Sequence, residues 1–185
     1  MKRMILAGFA LAFAFALGLG APQARAADKD TVFLDTKDGR IVIRLRPDLA
    51  PKHVAQIETL TKKGFYDGIV FHRVIDGFMA QTGDPTGTGT GKSDLPNIKA
   101  EFSATPFKRG TVGMARSSDP DSANSQFFIV FADAPFLNGK YTVVGEVVSG
   151  MDVVDKIKKG ATEQNGAVSQ PDKIVKMQMA TDAKK

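Results

Sequence analysis

The chain has 185 residues, 43% hydrophobic and 24% charged, a balance that suits one folded domain and excludes a disordered or fibrous protein. It holds no cysteine and two histidines, which excludes a disulfide framework, a thiol nucleophile and thiolate metal ligands, and argues against zinc. The net charge of +5 resides partly in the leading segment and gives no reason to expect a nucleic-acid partner.

That leading segment opens with the basic Met1-Lys2-Arg3 and runs apolar from Met4 to Gly20. Ala24 and Ala26 follow in a small-x-small spacing, so the segment reads as a secretory signal cut after Ala26. The competing reading is a membrane anchor, but 17 apolar residues lie near the lower limit for a bilayer span. A cleavage site follows the run at once, and no cysteine follows it to carry a lipid. Removal of residues 1–26 leaves 159 residues and a charge of +2, because Lys2, Arg3 and Arg25 leave with the segment. The expectation is one periplasmic domain over 27–185, with its core at about 31–180 and no membrane association after cleavage.

Two β-rich runs, Thr31–Thr36 and Arg40–Arg46, flank Lys37-Asp38-Gly39, a hairpin signal. A helix is expected from Ala50 to Lys63, with Asp48 as cap, Pro51 in the first turn and Gly64 past the end. Val54, Ile57 and Leu60 give it an apolar stripe. Short strands follow at Ile69–Ile75, Phe78–Thr82, Thr111–Ala115, Phe127–Phe131 and Thr142–Val147. Phe127 to Phe131 has no polar face, so both faces of that strand need cover. A second helix is expected over Met151–Lys159 and a closing strand over Lys173–Ala180. Many short strands and two helices predict a mainly β fold, a closed antiparallel barrel with helical caps.

Three motifs mislead. Thr86 to Ser93 resembles a phosphate loop, but Thr86 stands where the first glycine belongs and Asp94-Leu95-Pro96 stops any helix that should follow. A flexible surface loop is the expectation there. Asp119 to Asn124 hints at a calcium loop, but Asn124 and Val130 replace the required glycine and glutamate, so a polar turn is expected. Ser117, Ser118 or Ser125 with His72 would suggest a hydrolase, yet no serine sits in a nucleophile elbow, and His72 reads as a hydrogen-bonded structural residue.

Two blocks remain. One runs from Phe71-His72-Arg73 through Gly77-Phe78-Met79-Ala80-Gln81-Thr82-Gly83-Asp84. The other comprises Gly113-Met114-Ala115-Arg116, Ser125-Gln126-Phe127-Phe128-Ile129 and Phe136-Leu137-Asn138-Gly139-Lys140. Together they resemble the signature blocks of cyclophilin-type peptidyl-prolyl cis-trans isomerases, over about Thr31 to Ala180. The resemblance implies a closed eight-stranded antiparallel β-barrel capped by two α-helices, a proline pocket on its outer wall, and no cofactor or metal. It implies catalytic roles for Arg73, Phe78 and Gln81. Met79, Phe128 and Leu137 would complete the proline pocket, and Ala115, Arg116, Gln126, Phe136 and Tyr141 would line the adjoining groove. Taken singly, Phe78, Met79 and Phe128 read better as core; their joint placement beside Gln81 in the signature blocks shifts the reading to a site.

The residue types suit the chemistry, since rotation about an Xaa-Pro bond needs a fixed donor for the proline nitrogen and no nucleophile. The expected partners are proline-containing polypeptides in the course of export, bound by a monomer. A proline-binding chaperone with little turnover is the alternative, one that would not need the Arg73–Gln81 pair. Three positions depart from many eukaryotic members of the family. Phe136 replaces a tryptophan whose indole hydrogen-bonds cyclosporin, so cyclosporin binding is expected to weaken. Tyr141 replaces a histidine and Arg116 an asparagine, both at the substrate flank. These features suit the bacterial exported branch.

Overall fold

The computed structural model describes residues 29–183; the signal-like segment 1–26 lies outside them. Strands β1 (Thr31–Thr36) and β2 (Gly39–Leu45) form the expected hairpin, with Thr36 opposite Gly39. Alternation sets its inner face: Val32 and Leu34 on β1 and Ile41, Ile43 and Leu45 on β2 are buried.

Helix α1 spans Pro51–Lys62 and buries Val54, Ile57 and Leu60 as its spacing predicts. Its cap differs from expectation. Asp48 makes no cap; it pairs with Arg46 at 2.7 Å. The first turn is instead covered by the Glu101 carboxylate, which accepts from the Lys52 and His53 amides and lies 2.6 Å from His53 Nδ1.

The remaining strands are β3 (Arg73–Ile75), β4 (Met79–Thr82), β5 (Thr111–Met114), β6 (Phe127–Val130), β7 (Val143–Ser149) and β8 (Lys176–Met179). Helix α2 covers Met151–Lys156, three residues shorter than expected, and its chain leaves the helix at Ile157. Asp119–Asn124 is a polar turn, as expected: a 3₁₀ turn covers Pro120–Ser122, and Asp119 accepts from the Asp121 amide.

All eight strands join one antiparallel sheet in the order β3-β4-β6-β5-β7-β2-β1-β8. Irregular registers at Val42/Ile43 and Val112/Gly113 curl it, because an extra residue on one strand bends and twists the ladder. The closed barrel expected from sequence is corrected here to a curled half-barrel. β3 and β8 end the sheet and share no ladder. The gap between them is crossed by irregular chain, through bonds such as Phe71 N–H to Asp172 O (2.9 Å) and Val74 N–H to Gly166 O (2.7 Å).

The sheet has two apolar faces. Ile43, Phe127, Ile129 and Met177 pack with Ile57 of α1 and Val154 of α2 in the main core. Phe128, Val130 and Met79 point the other way and pack with Phe107, Leu137 and Val143. This explains the absence of a polar face on Phe127–Val130. Each large side chain so buried contributes about 1.5–3 kcal/mol.

Candidate functional site

One register row builds the site. Arg73 on β3 lies opposite Gln81 on β4, Gln81 opposite Phe128 on β6, and Phe128 opposite Gly113 on β5. Cross-strand partners share a face, so these side chains project together on the side away from the main core. Gly113 is required there: a Cβ would lie 2.6 Å from both the Phe107 and Phe128 rings, which stack at 5.8 Å.

The row floors a cleft of about 620 Å³. Met79, Phe128 and Leu137 are buried in its base, and Phe78 is half-buried at its edge. Phe136, 59% exposed, stands beside Phe78 with ring centres 5.2 Å apart. Tyr141 meets Phe128 edge-on at 5.8 Å, and the Arg116 guanidinium sits over the Tyr141 ring at 4.5 Å.

Arg73 is held by three acceptors. Nε donates to Asn165 O (3.1 Å), Nη2 to Asn165 Oδ1 (2.9 Å) and Nη1 to Gln81 Oε1 (3.2 Å). Two of its five N–H groups stay without a partner among the described residues, and no carboxylate pairs with it there. Burial pulls its pKa below the usual arginine value, with Tyr141 opposing; the group stays charged.

The polarity of the relay is set from behind. Gln126 Nε2 donates to the Gly89 and Gly91 carbonyls (3.1 and 2.8 Å), so its Oε1 faces Gln81 Nε2 at 2.8 Å. That turns Gln81 Oε1 toward Arg73. The carbonyls belong to the Thr-Gly loop, which lies at the surface as expected but is anchored by hydrogen bonds. The buried Asp84 carboxylate accepts from the amides of Thr86, Gly89 and Gly91 and from the Thr86 hydroxyl. Burial pushes the Asp84 pKa up, but these donors outweigh it and hold the carboxyl below its ordinary value.

Ten of the eleven residues singled out in the sequence line this cleft: Arg73, Phe78, Met79, Gln81, Ala115, Arg116, Phe128, Phe136, Leu137 and Tyr141. Gln126 lines the groove beside it. Sequence reasoning missed Asn165, whose left-handed backbone (φ 53°) presents carbonyl and side chain to the same arginine. Asn165-Gly166 is a turn dipeptide, a signal that could have marked a loop but not its target. It also missed Thr88 and Gly89 as wall residues. His72 is buried and lines the cleft; the Val70 backbone acts on its ring, though neither ring nitrogen makes a hydrogen bond of full geometry among the described residues. Burial lowers its pKa, opposed by Asp84 and aided by Arg73. Ser125, the buried candidate nucleophile, donates to Gly83 O at 2.8 Å.

The family model of the cyclophilin type peptidyl-prolyl cis-trans isomerases matches residues 31–179. A probable peptidyl-prolyl cis-trans isomerase of Brucella suis is 58% identical over 193 residues, covering 97% of this chain and 98% of its own. A peptidyl-prolyl cis-trans isomerase of Helicobacter pylori is 46% identical, covering 69% of this chain and 79% of its own. Among solved structures, a cyclophilin from Hirschia baltica superposes with a TM-score of 0.76 at 29% identity, covering 86% of this chain and 77% of its own. A cyclophilin type isomerase from Cryptosporidium parvum, solved in the presence of the dipeptide Ala-Pro, gives 0.73 at 27% identity, covering 80% and 98%.

Proposed function

The chain belongs to the cyclophilin-type peptidyl-prolyl cis-trans isomerases and catalyses rotation about Xaa-Pro bonds, and on that premise we propose that Arg73, Phe78 and Gln81 carry the reaction on exported proteins. One observation carries the reading of the site. A guanidinium with no carboxylate partner and two free N–H groups among the described residues shares a cleft with the apolar floor of Phe78, Met79, Phe128 and Leu137.

The Xaa-Pro barrier of roughly 18–20 kcal/mol comes from amide resonance. Rotation breaks that resonance and leaves the proline nitrogen pyramidal and basic. A planar amide nitrogen accepts no hydrogen bond, so an Arg73 N–H gains its partner only in the twisted state. Binding that strengthens at the transition state is what accelerates. A fixed donor in a dry site contributes about 3–4 kcal/mol, about a hundredfold to a thousandfold in rate. The floor grips the ring and excludes water, and Gln81 holds Arg73 while its amide reaches the substrate. Ala115, Arg116, Gln126, Phe136 and Tyr141 bind the flanks. The Ala-Pro dipeptide in the Cryptosporidium parvum relative supports proline peptides as the ligand.

NMR exchange on a short Xaa-Pro peptide tests the roles. Arg73→Ala should keep the fold and lose about a hundredfold or more in kcat/KM. Phe78→Ala should lose activity through a loosened floor. Rates equal to the parent in both variants would overturn these roles, and a parent without turnover would favour a proline-binding chaperone.

The periplasmic reading rests on residues 1–26. Export with cleavage should yield a protein whose sequenced N-terminus is Ala27; a protein that keeps Met1 to Ala26 overturns it.

A further inference from the structure

We propose that the polar groove beside the proline cleft is a subsite for a substrate carboxylate, so that the enzyme prefers peptides carrying aspartate or glutamate near the proline. The proposal rests on the isomerase reading of the cleft and adds a substrate class to it.

The groove holds about 460 Å³ and is continuous with the cleft, since Gln81, Ala115 and Arg116 line both. A peptide with its proline on the apolar floor can therefore send one flank across it. Three cations, Arg73, Lys92 and Arg116, line the two openings, and no aspartate or glutamate does. None of the three has a carboxylate within ion-pair distance among the described residues. Asp84, Asp119 and Asp121 accept from backbone amides: Asp84 from its own loop, Asp119 from Asp121, and Asp121 from Ala100.

Arg116 is also preorganised. It lies over the Tyr141 ring and donates to Lys140 O (Nε 3.3 Å, Nη2 2.9 Å) and Ser117 O (2.9 Å). These bonds fix the guanidinium without neutralising it and leave two N–H groups without a partner among the described residues. Among the described residues the Lys92 ammonium donates to a neutral side chain, Asn97 Oδ1 at 3.3 Å. An incoming carboxylate meets a fixed cation whose ordering cost is already met, and gains a charge-assisted hydrogen bond. A lysine at the same place meets uncompensated like charge.

The test uses the mature domain and proline peptides in which one position, walked to either side of the proline, is Glu, Gln or Lys. At one position the Glu peptide should show kcat/KM about threefold to tenfold above Gln, with Lys below both. The preference should fade in about 0.5 M salt, where screening acts within a few ångströms. Arg116→Gln and Lys92→Gln should each reduce the Glu-to-Gln ratio. Equal kcat/KM for the three peptides at every position, or a preference that survives both substitutions, overturns the subsite while leaving the isomerase reading intact. No turnover on any peptide overturns the isomerase reading and this proposal with it.

Discussion

Asn165 gives Arg73 two acceptors at once, and its contribution can be isolated. In Asn165→Gly the carbonyl that accepts from Arg73 Nε remains, and glycine adopts the left-handed backbone without cost. Only the Oδ1 contact to Nη2 is lost. One of three bonds that aim the guanidinium is at stake, about 0.7–1.4 kcal/mol, so kcat/KM should fall about threefold to tenfold with little change in thermal stability. An unchanged rate in peptide-exchange NMR would mean that Gln81 and the backbone alone aim the guanidinium. The contrast with the other cleft residues explains what was legible. Arg73, Met79 and Gln81 stand within one short block, and strand pairing and alternation bring them to one face, while Phe78 joins them from the turn ahead of β4. Asn165 lies 92 positions from its partner in a loop without periodicity, so nothing in the sequence links the two.

At the scale of elements, a carboxylate organises what glycine-rich sequence suggested was free. Asp84 is tied to the amides of Thr86, Gly89 and Gly91 over a loop whose carbonyls orient Gln126. Its folded pKa is depressed, so its stabilisation is present above the unfolded value of about 3.9 and is lost as pH falls through the folded value. Asp84→Asn keeps one acceptor oxygen and sets an amide against N–H donors. It should cost about 1–3 kcal/mol at neutral pH. Urea titrations should show the gap between parent and variant narrowing below about pH 4, where the parent carboxyl begins to protonate. A gap that stays constant from neutral to acid pH would show that the charge is not what holds the loop. Element positions were otherwise readable from period and punctuation, while their ends were not. Ile69 to His72 has strand composition but pairs with irregular chain at Asp172 to Ile174, so β3 shrinks to Arg73–Ile75. The cap of α1 comes from Glu101, a residue no local rule could nominate.

At the scale of the whole molecule, strand order was beyond the sequence, because alternation fixes which face a residue takes and not which strand lies beside it. Composition suggested closure, and the ladder stops one pairing short: β3 and β8 are edges joined only through irregular chain. That seam holds the arginine proposed to act on the substrate. Val74, the residue after Arg73, donates to Gly166 O, the residue after Asn165, at 2.7 Å, and Val168 donates to His72 O at 3.1 Å. Gly166 is buried with φ +80°, and a Cβ there would lie 2.5 Å from Ile75 Cγ1 and 3.0 Å from Val74 O. Gly166→Ala therefore combines a left-handed backbone with a clash against β3 and should cost about 2–4 kcal/mol. The functional effect should split. The floor of Met79, Phe128 and Leu137 is built on β4, β6 and the turn at Pro135–Leu137, away from the seam, so KM should change little. Arg73 and its acceptor stand on opposite sides of the displaced contact, so kcat should fall about tenfold or more. A raised KM with kcat preserved in the folded variant would mean that the seam shapes the proline pocket and not the arginine.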